Sequence, residues 1–201
     1  MSIVIVDYGM GNLASVYNAL KFLGENAKIA ALPADIEKAD KLILPGVGAF
    51  QDAMLGMKER GFIESLTKFL SSGKAYLGIC LGLQVLFQTS EEGAARGLGV
   101  FKGKVKRFRK EDGVKVPHIG WNSVKLKHNL KLTAGLADGS YFYFDHSYYV
   151  EPENKDIVAA TTNYGRDFAS FICKDNIFAV QFHPERSQEL GLKLLENFIR
   201  L

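Results

Sequence analysis

The sequence predicts an α/β protein: a mainly parallel sheet flanked by helices, with antiparallel strands added in the second half. Three observations carry this. Short apolar strands alternate with helical patterns up to Gln88, which implies a parallel sheet covered on both faces. From Gly97 to Cys173 helical periodicity is nearly absent and strand patterns take over. No Pro/Ser/Gly-rich linker separates the halves, and 201 residues suit one sizeable core, so residues 1–201 read as a single domain.

Residues 2–7 form a continuous apolar strand ending at Asp7. Asn12 is a candidate N-cap for a helix whose Leu13, Val16, Tyr17, Leu20 and Leu23 share one face. Between them Gly9-x-Gly11-x-x-Ala14 matches the dinucleotide fingerprint in form. The second strand, around 28–32, ends in Leu32-Pro33 without the carboxylate that would hold a ribose, and Asp35 comes too late, in the next turn. A tight strand-to-helix turn explains the glycines more cheaply. Lys41–Leu44 is a third strand, running into a Pro45-Gly46-Val47-Gly48 turn whose glycines allow unusual backbone angles. Helical patterns follow over Phe50–Lys58 and Phe62–Leu70, then a buried strand ending at Cys80 and a helix from Leu81 to Gln88. The second half reads as strands at 100–109, 121–127, 140–150, 157–162 and 168–173. A last strand, Ile177–Phe182, precedes a final helix with Ser187 as candidate N-cap. In a parallel sheet the 8–12 turn, the 45–48 turn and Cys80 all sit at strand carboxyl ends, on one edge of the molecule, where catalytic residues gather.

Composition is ordinary, 47% hydrophobic and 23% charged. No apolar run approaches the length that crosses a bilayer, and the N-terminus has no basic region of a signal peptide. Two cysteines make no disulfide framework and suit a reducing, cytoplasmic setting. Net charge is +3, but residues 102–131 hold ten Lys/Arg against Glu111 and Asp112, leaving −5 elsewhere. The basic residues alternate with apolar ones, as strands with one wet face do. Only Phe101 and Phe108 are interleaved, which argues against a nucleic-acid surface.

The chemistry centres on Gly78-Ile79-Cys80-Leu81-Gly82. Gly-x-nucleophile-x-Gly is the pattern of a nucleophile elbow, and a cysteine at a helix N-terminus sits in a field that favours the thiolate. A buried structural cysteine beside two packing glycines is an equal reading of that stretch alone. His183 also follows an apolar strand end, and Glu185 lies two residues on, across Pro184. A carboxylate beside an imidazole fixes its tautomer, and such a histidine serves a thiol as base and a leaving amine as acid. The two strand ends together favour a Cys-His-Glu triad. H-x-E zinc deamination requires a downstream Pro-Cys-x-x-Cys, and only a helix without cysteine follows. Cys173, His118, His128 and His146 are scattered without metal-ligand spacing, so neither a metal nor a cofactor is expected.

Gly78-Ile79-Cys80-Leu81-Gly82-Leu83-Gln84 with Phe182-His183-Pro184-Glu185 resembles the class I glutamine amidotransferase domain, which is flavodoxin-like in fold. Asp7–Leu13, Pro45–Phe50, Pro117-His118-Ile119-Gly120-Trp121-Asn122 and His146-Ser147-Tyr148 are similar to the branch that serves imidazole glycerol phosphate synthases of histidine biosynthesis. The resemblance implies that Cys80 attacks the carboxamide of L-glutamine, with His183 and Glu185 completing the triad. It also implies an oxyanion site from Leu81 and the Val47–Gly48 region, and glutamine contacts from Gly48, Gln84, Ser147 and Tyr148. The ammonia would pass to a separate cyclase subunit, a (β/α)8 barrel, faced by Met10, Asn12, His118 and Trp121. A glutaminase serving another synthase, a nucleotide-binding module on Gly9-x-Gly11 and a non-catalytic regulatory subunit are the competing readings.

Overall fold

A computed structural model describes residues 1–128 and 130–201 of the chain. Its first half lays down β1 (Ile3–Val6), α1 (Leu13–Phe22), β2 (Lys28–Ala30), α2 (Pro33–Glu37), β3 (Lys41–Gly46), α3 (Phe50–Glu59), α4 (Phe62–Ser71), β4 (Ala75–Cys80) and α5 (Leu81–Gln84). The second half adds β5 (Phe87–Ser90), β6 (Phe101–Arg107), β7 (His118–Leu126), β8 (Ser140–His146), β9 (Tyr148–Pro152), β10 (Val158–Asn163), β11 (Asp167–Lys174), β12 (Ile177–Val180) and α6 (Gln188–Arg200).

All twelve strands join one sheet, with the main order β2-β1-β3-β4-β12-β11-β10-β7-β8. The five strands from β2 to β12 run parallel, and β11, β10, β7 and β8 follow antiparallel. The period of two in β1 sorts the core. Val4 and Val6 pack with Phe50, Met57 and Leu66 of α3 and α4, while Ile3 and Ile5 pack with Val16 and Leu20 of α1 and Leu194 and Phe198 of α6. Lys41 at the start of β3 is 5% exposed, and its Nζ donates to the carbonyls of Phe198 (3.0 Å) and Ile199 (2.5 Å), closing the C-terminus of α6.

The differences from the sequence reading have local causes. Leu81–Gln88 is not one helix. The carbonyls of Val85 and Leu86 accept from Leu98 N and Phe101 N instead of the next helical turn, and Phe87 pairs with Phe101 in a parallel β5–β6 ladder. Strand 140–150 divides at Ser147, where the chain changes partner from β7 to β6. β3 continues through Pro45 and Gly46, so the turn proper is Val47–Gly48. β7 begins at His118 rather than at 121, and β12 ends at Val180 rather than at Phe182. α2 forms where a turn was expected, because the Asp35 carboxylate accepts from Ala31 N and Leu32 N and pairs with Lys28 at 2.6 Å. That Asp35 is committed to a helix start, which removes the last acidic candidate for a ribose beside Gly9-x-Gly11.

Candidate active site

Four parallel strands, β1, β3, β4 and β12, end on one edge of the sheet. β4 delivers Cys80 there with φ 53° and ψ −103°, a left-handed backbone that non-glycine residues rarely hold. The strain turns the side chain out of the sheet and the chain directly into α5. Glycines make the turn possible. A Cβ on Gly82 would collide with the Leu44 carbonyl of β3, and one on Gly78 would lie 2.5 Å from Gly82 O. Because α5 has one turn only, its dipole is a smaller aid to the thiolate than the expected long helix.

β12 pairs in register beside β4, Val180 with Ile79, so the residues that follow Val180 arrive next to Cys80. His183 is 1% exposed, and its Nδ1 donates to Glu185 Oε1 at 2.8 Å. Both side chains are 2% exposed. His183 Nε2 and Glu185 Oε2 are buried without a hydrogen-bond partner among the described residues. Nδ1 is thus committed to the carboxylate, and Nε2 remains to exchange a proton with the thiol or the substrate. Burial by itself pushes the His183 imidazole down. The negative charge of Cys80 and the Glu185 carboxylate outweigh burial and raise it well above the usual histidine range. Burial and the Cys80 charge together also push the Tyr8 phenol up, so Tyr8 stays protonated beside the site.

Ser187 fixes the histidine from behind. Its Oγ donates to His183 O at 2.6 Å and accepts from Tyr143 N at 2.9 Å, while His183 N donates to Tyr143 O at 2.8 Å. The expected side-chain N-cap of α6 is therefore spent on stapling the His183 segment to β8.

The Val47–Gly48 turn follows the pairing of Gly46 with Cys80, so its peptide lies beside the elbow and Leu81. Gly48 has φ 99°, a conformation that favours glycine. Gln84 is 4% exposed, and both of its amide hydrogens are committed, to Tyr148 O at 3.1 Å and to Gln181 Oε1 at 3.3 Å. It offers a ligand an acceptor, its Oε1, and not a donor. Ser147 and Tyr148 lie between β8 and the start of β9.

Two close neighbours of the sulfur escaped the sequence reading. Asp145 O lies 3.9 Å from Cys80 Sγ, and Gln181 Nε2 donates to Sγ at 3.5 Å. The signal for Gln181 was present, since it is the polar residue in the apolar run Ile177–Phe182. For Asp145 there was none, because a backbone carbonyl carries no side-chain signature.

The residues expected to face a partner separate. Met10 is half-buried, Asn12 is exposed while its Oδ1 caps α1 by accepting from Ser15 N at 3.3 Å, and Trp121 is 46% exposed. His118 does not fit the expectation. It is 3% exposed, and its ring lies between Phe144 and Tyr164 at 4.8 and 3.9 Å. The segment alternates after all: β7 starts at His118, so His118 points inward and Ile119 and Trp121 point outward, with Ile119 58% exposed.

Comparison with known proteins places this geometry. The chain matches the class-I glutamine amidotransferase family over residues 4–201. It is 48% identical to the imidazole glycerol phosphate synthase subunit HisH of Syntrophotalea carbinolica, covering 98% of each chain. It is also 48% identical to the HisH subunit of Thermosynechococcus vestitus, covering 100% of this chain and 97% of the other. Among solved structures it is similar to PurLQS from Thermotoga maritima, with a TM-score of 0.79 at 20% identity and coverage of 99% and 97%. A glutamine amidotransferase crystal structure superposes with a TM-score of 0.74 at 22% identity over 98% and 97% of the chains. Those two likenesses show the fold. With the whole-length family match and the HisH relatives, they establish that the chain belongs to the class-I glutamine amidotransferases, in the HisH branch.

Proposed function

We propose that this chain is the glutaminase subunit of an imidazole glycerol phosphate synthase, with Cys80, His183 and Glu185 as its triad. The observation that carries the reading is the buried His183–Glu185 pair at 2.8 Å, on the strand next to a cysteine held at φ 53°. His183 Nε2 takes the thiol proton, and Cys80 Sγ attacks the side-chain carbonyl carbon of L-glutamine. The tetrahedral oxyanion is met by backbone N–H groups of Leu81 and the Val47–Gly48 turn. Collapse breaks the C–N bond, His183 gives its proton to the departing nitrogen, and ammonia leaves a γ-glutamyl thioester. His183 then deprotonates a water, which attacks the thioester and releases glutamate and the thiol. Glu185 holds the imidazole in the required tautomer throughout. Gly48, Gln84, Ser147 and Tyr148 contact the glutamine.

The relatives' name, a synthase subunit, supports a cyclase partner that consumes the ammonia. We assign that partner to a (β/α)8 barrel docked on the face bearing Met10, Asn12 and Trp121, which the exposed Ile119 extends. Among the described residues no helix is long and apolar enough to cross a membrane, which suits a cytoplasmic enzyme.

The test is Cys80→Ala in the reconstituted two-subunit complex. Glutamine-driven synthesis should vanish while ammonia-driven synthesis survives. Retained glutamine-driven turnover would remove Cys80 as nucleophile.

A further inference from the structure

A continuous line of hydrogen bonds joins β7, on the outer part of the sheet, to the sulfur of Cys80. Asn122 on β7 is oriented by two backbone contacts: its Oδ1 accepts from Ser123 N at 2.8 Å and its Nδ2 donates to Asn163 O at 2.9 Å. The same Nδ2 lies 3.2 Å from His118 Nε2, which must then be the accepting nitrogen. At the other end, His146 Nδ1 lies 2.7 Å from Tyr148 O, and a carbonyl only accepts, so Nδ1 carries the proton of His146. His146 Nε2 is left as acceptor for His118 Nδ1–H, 2.9 Å away. Tyr148 O also receives Gln84 Nε2, whose second hydrogen goes to Gln181 Oε1, and Gln181 Nε2 donates to Cys80 Sγ at 3.5 Å.

With both histidines neutral, one assignment of hydrogens satisfies every contact. Burial keeps them neutral, lowering His118 to about 4 and His146 to about 3. The tautomers are therefore fixed from both ends, by an asparagine locked to backbone and by a carbonyl. None of these five amide and imidazole side chains has freedom to rotate its amide or ring without leaving a buried group unpaired, which is costly. The line also starts beside Ile119 and Trp121, the outward-facing residues of β7.

We propose that His118 and His146 are positioning residues of the site: through Tyr148 O they fix Gln84 and Gln181, and Gln181 orients the Cys80 sulfur and stabilises its thiolate. This rests on the glutaminase reading above, and deepens it by giving two buried histidines outside the triad a role in it. A sulfur without such a donor samples more rotamers and ionises less readily. The line of hydrogen bonds also tells the site how β7 is held, since a shift of His118 reaches Gln84 through three of them.

The test separates ring packing from hydrogen bonding at one position. His118→Phe keeps an aromatic ring between Phe144 and Tyr164 but removes the donor to His146. His118→Asn loses the ring but keeps a side-chain N–H near the place of Nδ1. Gln181→Met keeps length and removes the donor to sulfur, and it needs no change at His118. Each is made in the full chain, its folding checked by thermal unfolding. kcat and KM for glutamine are measured with the partner subunit, and the pH dependence of Cys80 alkylation by iodoacetamide is measured on the chain alone. Loss of the His118 hydrogen bonds to His146 and Asn122 should lower kcat about tenfold in His118→Phe, with a smaller loss in His118→Asn. The alkylation midpoint should move to higher pH in Gln181→Met and, less so, in His118→Phe. A folded His118→Phe or Gln181→Met with wild-type kcat and wild-type alkylation overturns the proposal. So does His118→Asn falling further than His118→Phe, which would make ring packing the cause. If the wild-type complex shows no glutaminase activity, the functional reading fails instead, and the alkylation profiles still decide whether the line governs the thiol.

Discussion

His183 owes its chemistry to two neighbours, Cys80 and Glu185, acting against burial. An isolated imidazole this deep would be neutral, yet the Cys80 charge and the Glu185 carboxylate raise it. The imidazolium therefore persists to higher pH than that of a free histidine. Glu185→Gln keeps the shape and removes the charge. It should lower kcat by about 10²–10⁴ with KM little changed, measured by glutamate release in the complex. The same residue scale holds an opposite case. His118 and His146 have folded pKa values depressed below the unfolded 6.5, to about 4 and about 3. Between those values and 6.5 the unfolded chain binds more protons, so stability rises with pH there and is lost as pH falls. Urea midpoints should thus drop between pH 7 and pH 5. The drop should be smaller in His118→Phe, and an unchanged pH slope in that variant would contradict the assignment. Both histidines stand in the sequence without any sign of this. Pairing across β7 and β8, His118 opposite His146, creates their shared environment.

At the scale of elements, the site is assembled by strand order. β4 and β12 lie next to each other in the sheet although roughly a hundred residues separate them in the chain, and β8 braces the second through Ser187. Ser187→Ala leaves Tyr143 N and His183 O short of a partner. It should cost about 1–3 kcal/mol in chemical denaturation and reduce kcat more than it raises KM. Gly82→Ala pushes a methyl group into the Leu44 carbonyl of β3 and should cost at least about 1–3 kcal/mol, with loss of activity. The strand-to-helix turn at Cys80 was legible in the apolar run that stops there between two glycines, although those glycines alone left a packing role equally open. The end of α5 was not. Leu83, Val85 and Leu86 continue a helical pattern, and only the remote amides of Leu98 and Phe101 show that the chain turns away. His118 was assigned outward for a related reason: the start of β7 is marked by pairing with β8, not by composition.

For the whole molecule, one sheet serves two tasks. Its parallel half carries the elbow and the proposed triad, and its antiparallel half carries an outward face on β7 and β8, with Ile119, Trp121 and Tyr141 exposed. Trp121→Ala should weaken partner binding by about thirtyfold or more, as truncation of an interface aromatic does, without lowering thermal stability, and calorimetric titration of the two subunits would measure it. The chain alone should hydrolyse glutamine slowly, because the Val47–Gly48 turn proposed to supply an oxyanion donor is exposed. Vigorous hydrolysis by the isolated chain would contradict that. The basic stretch 102–131 behaves as its alternation implied. Lys102 and Lys104 are exposed on β6 between buried Phe101, Gly103 and Val105, and Lys106 pairs with Glu151 at 2.8 Å. The side chain of Lys110 and all of residue 129 lie outside the described residues.

The sequence by itself determined the parallel α/β half, the elbow at Cys80 and the pairing of His183 with Glu185. Each is written in local patterns: period, glycine spacing, or two residues flanking a proline. Tertiary structure alone decided what surrounds the sulfur. Gln181 reaches it because β12 pairs in register with β4, and Asp145 because β8 passes over the edge; the two histidines meet each other because β7 pairs with β8. Those contacts depend on which strands become neighbours and in what register, a long-range outcome that no single stretch encodes.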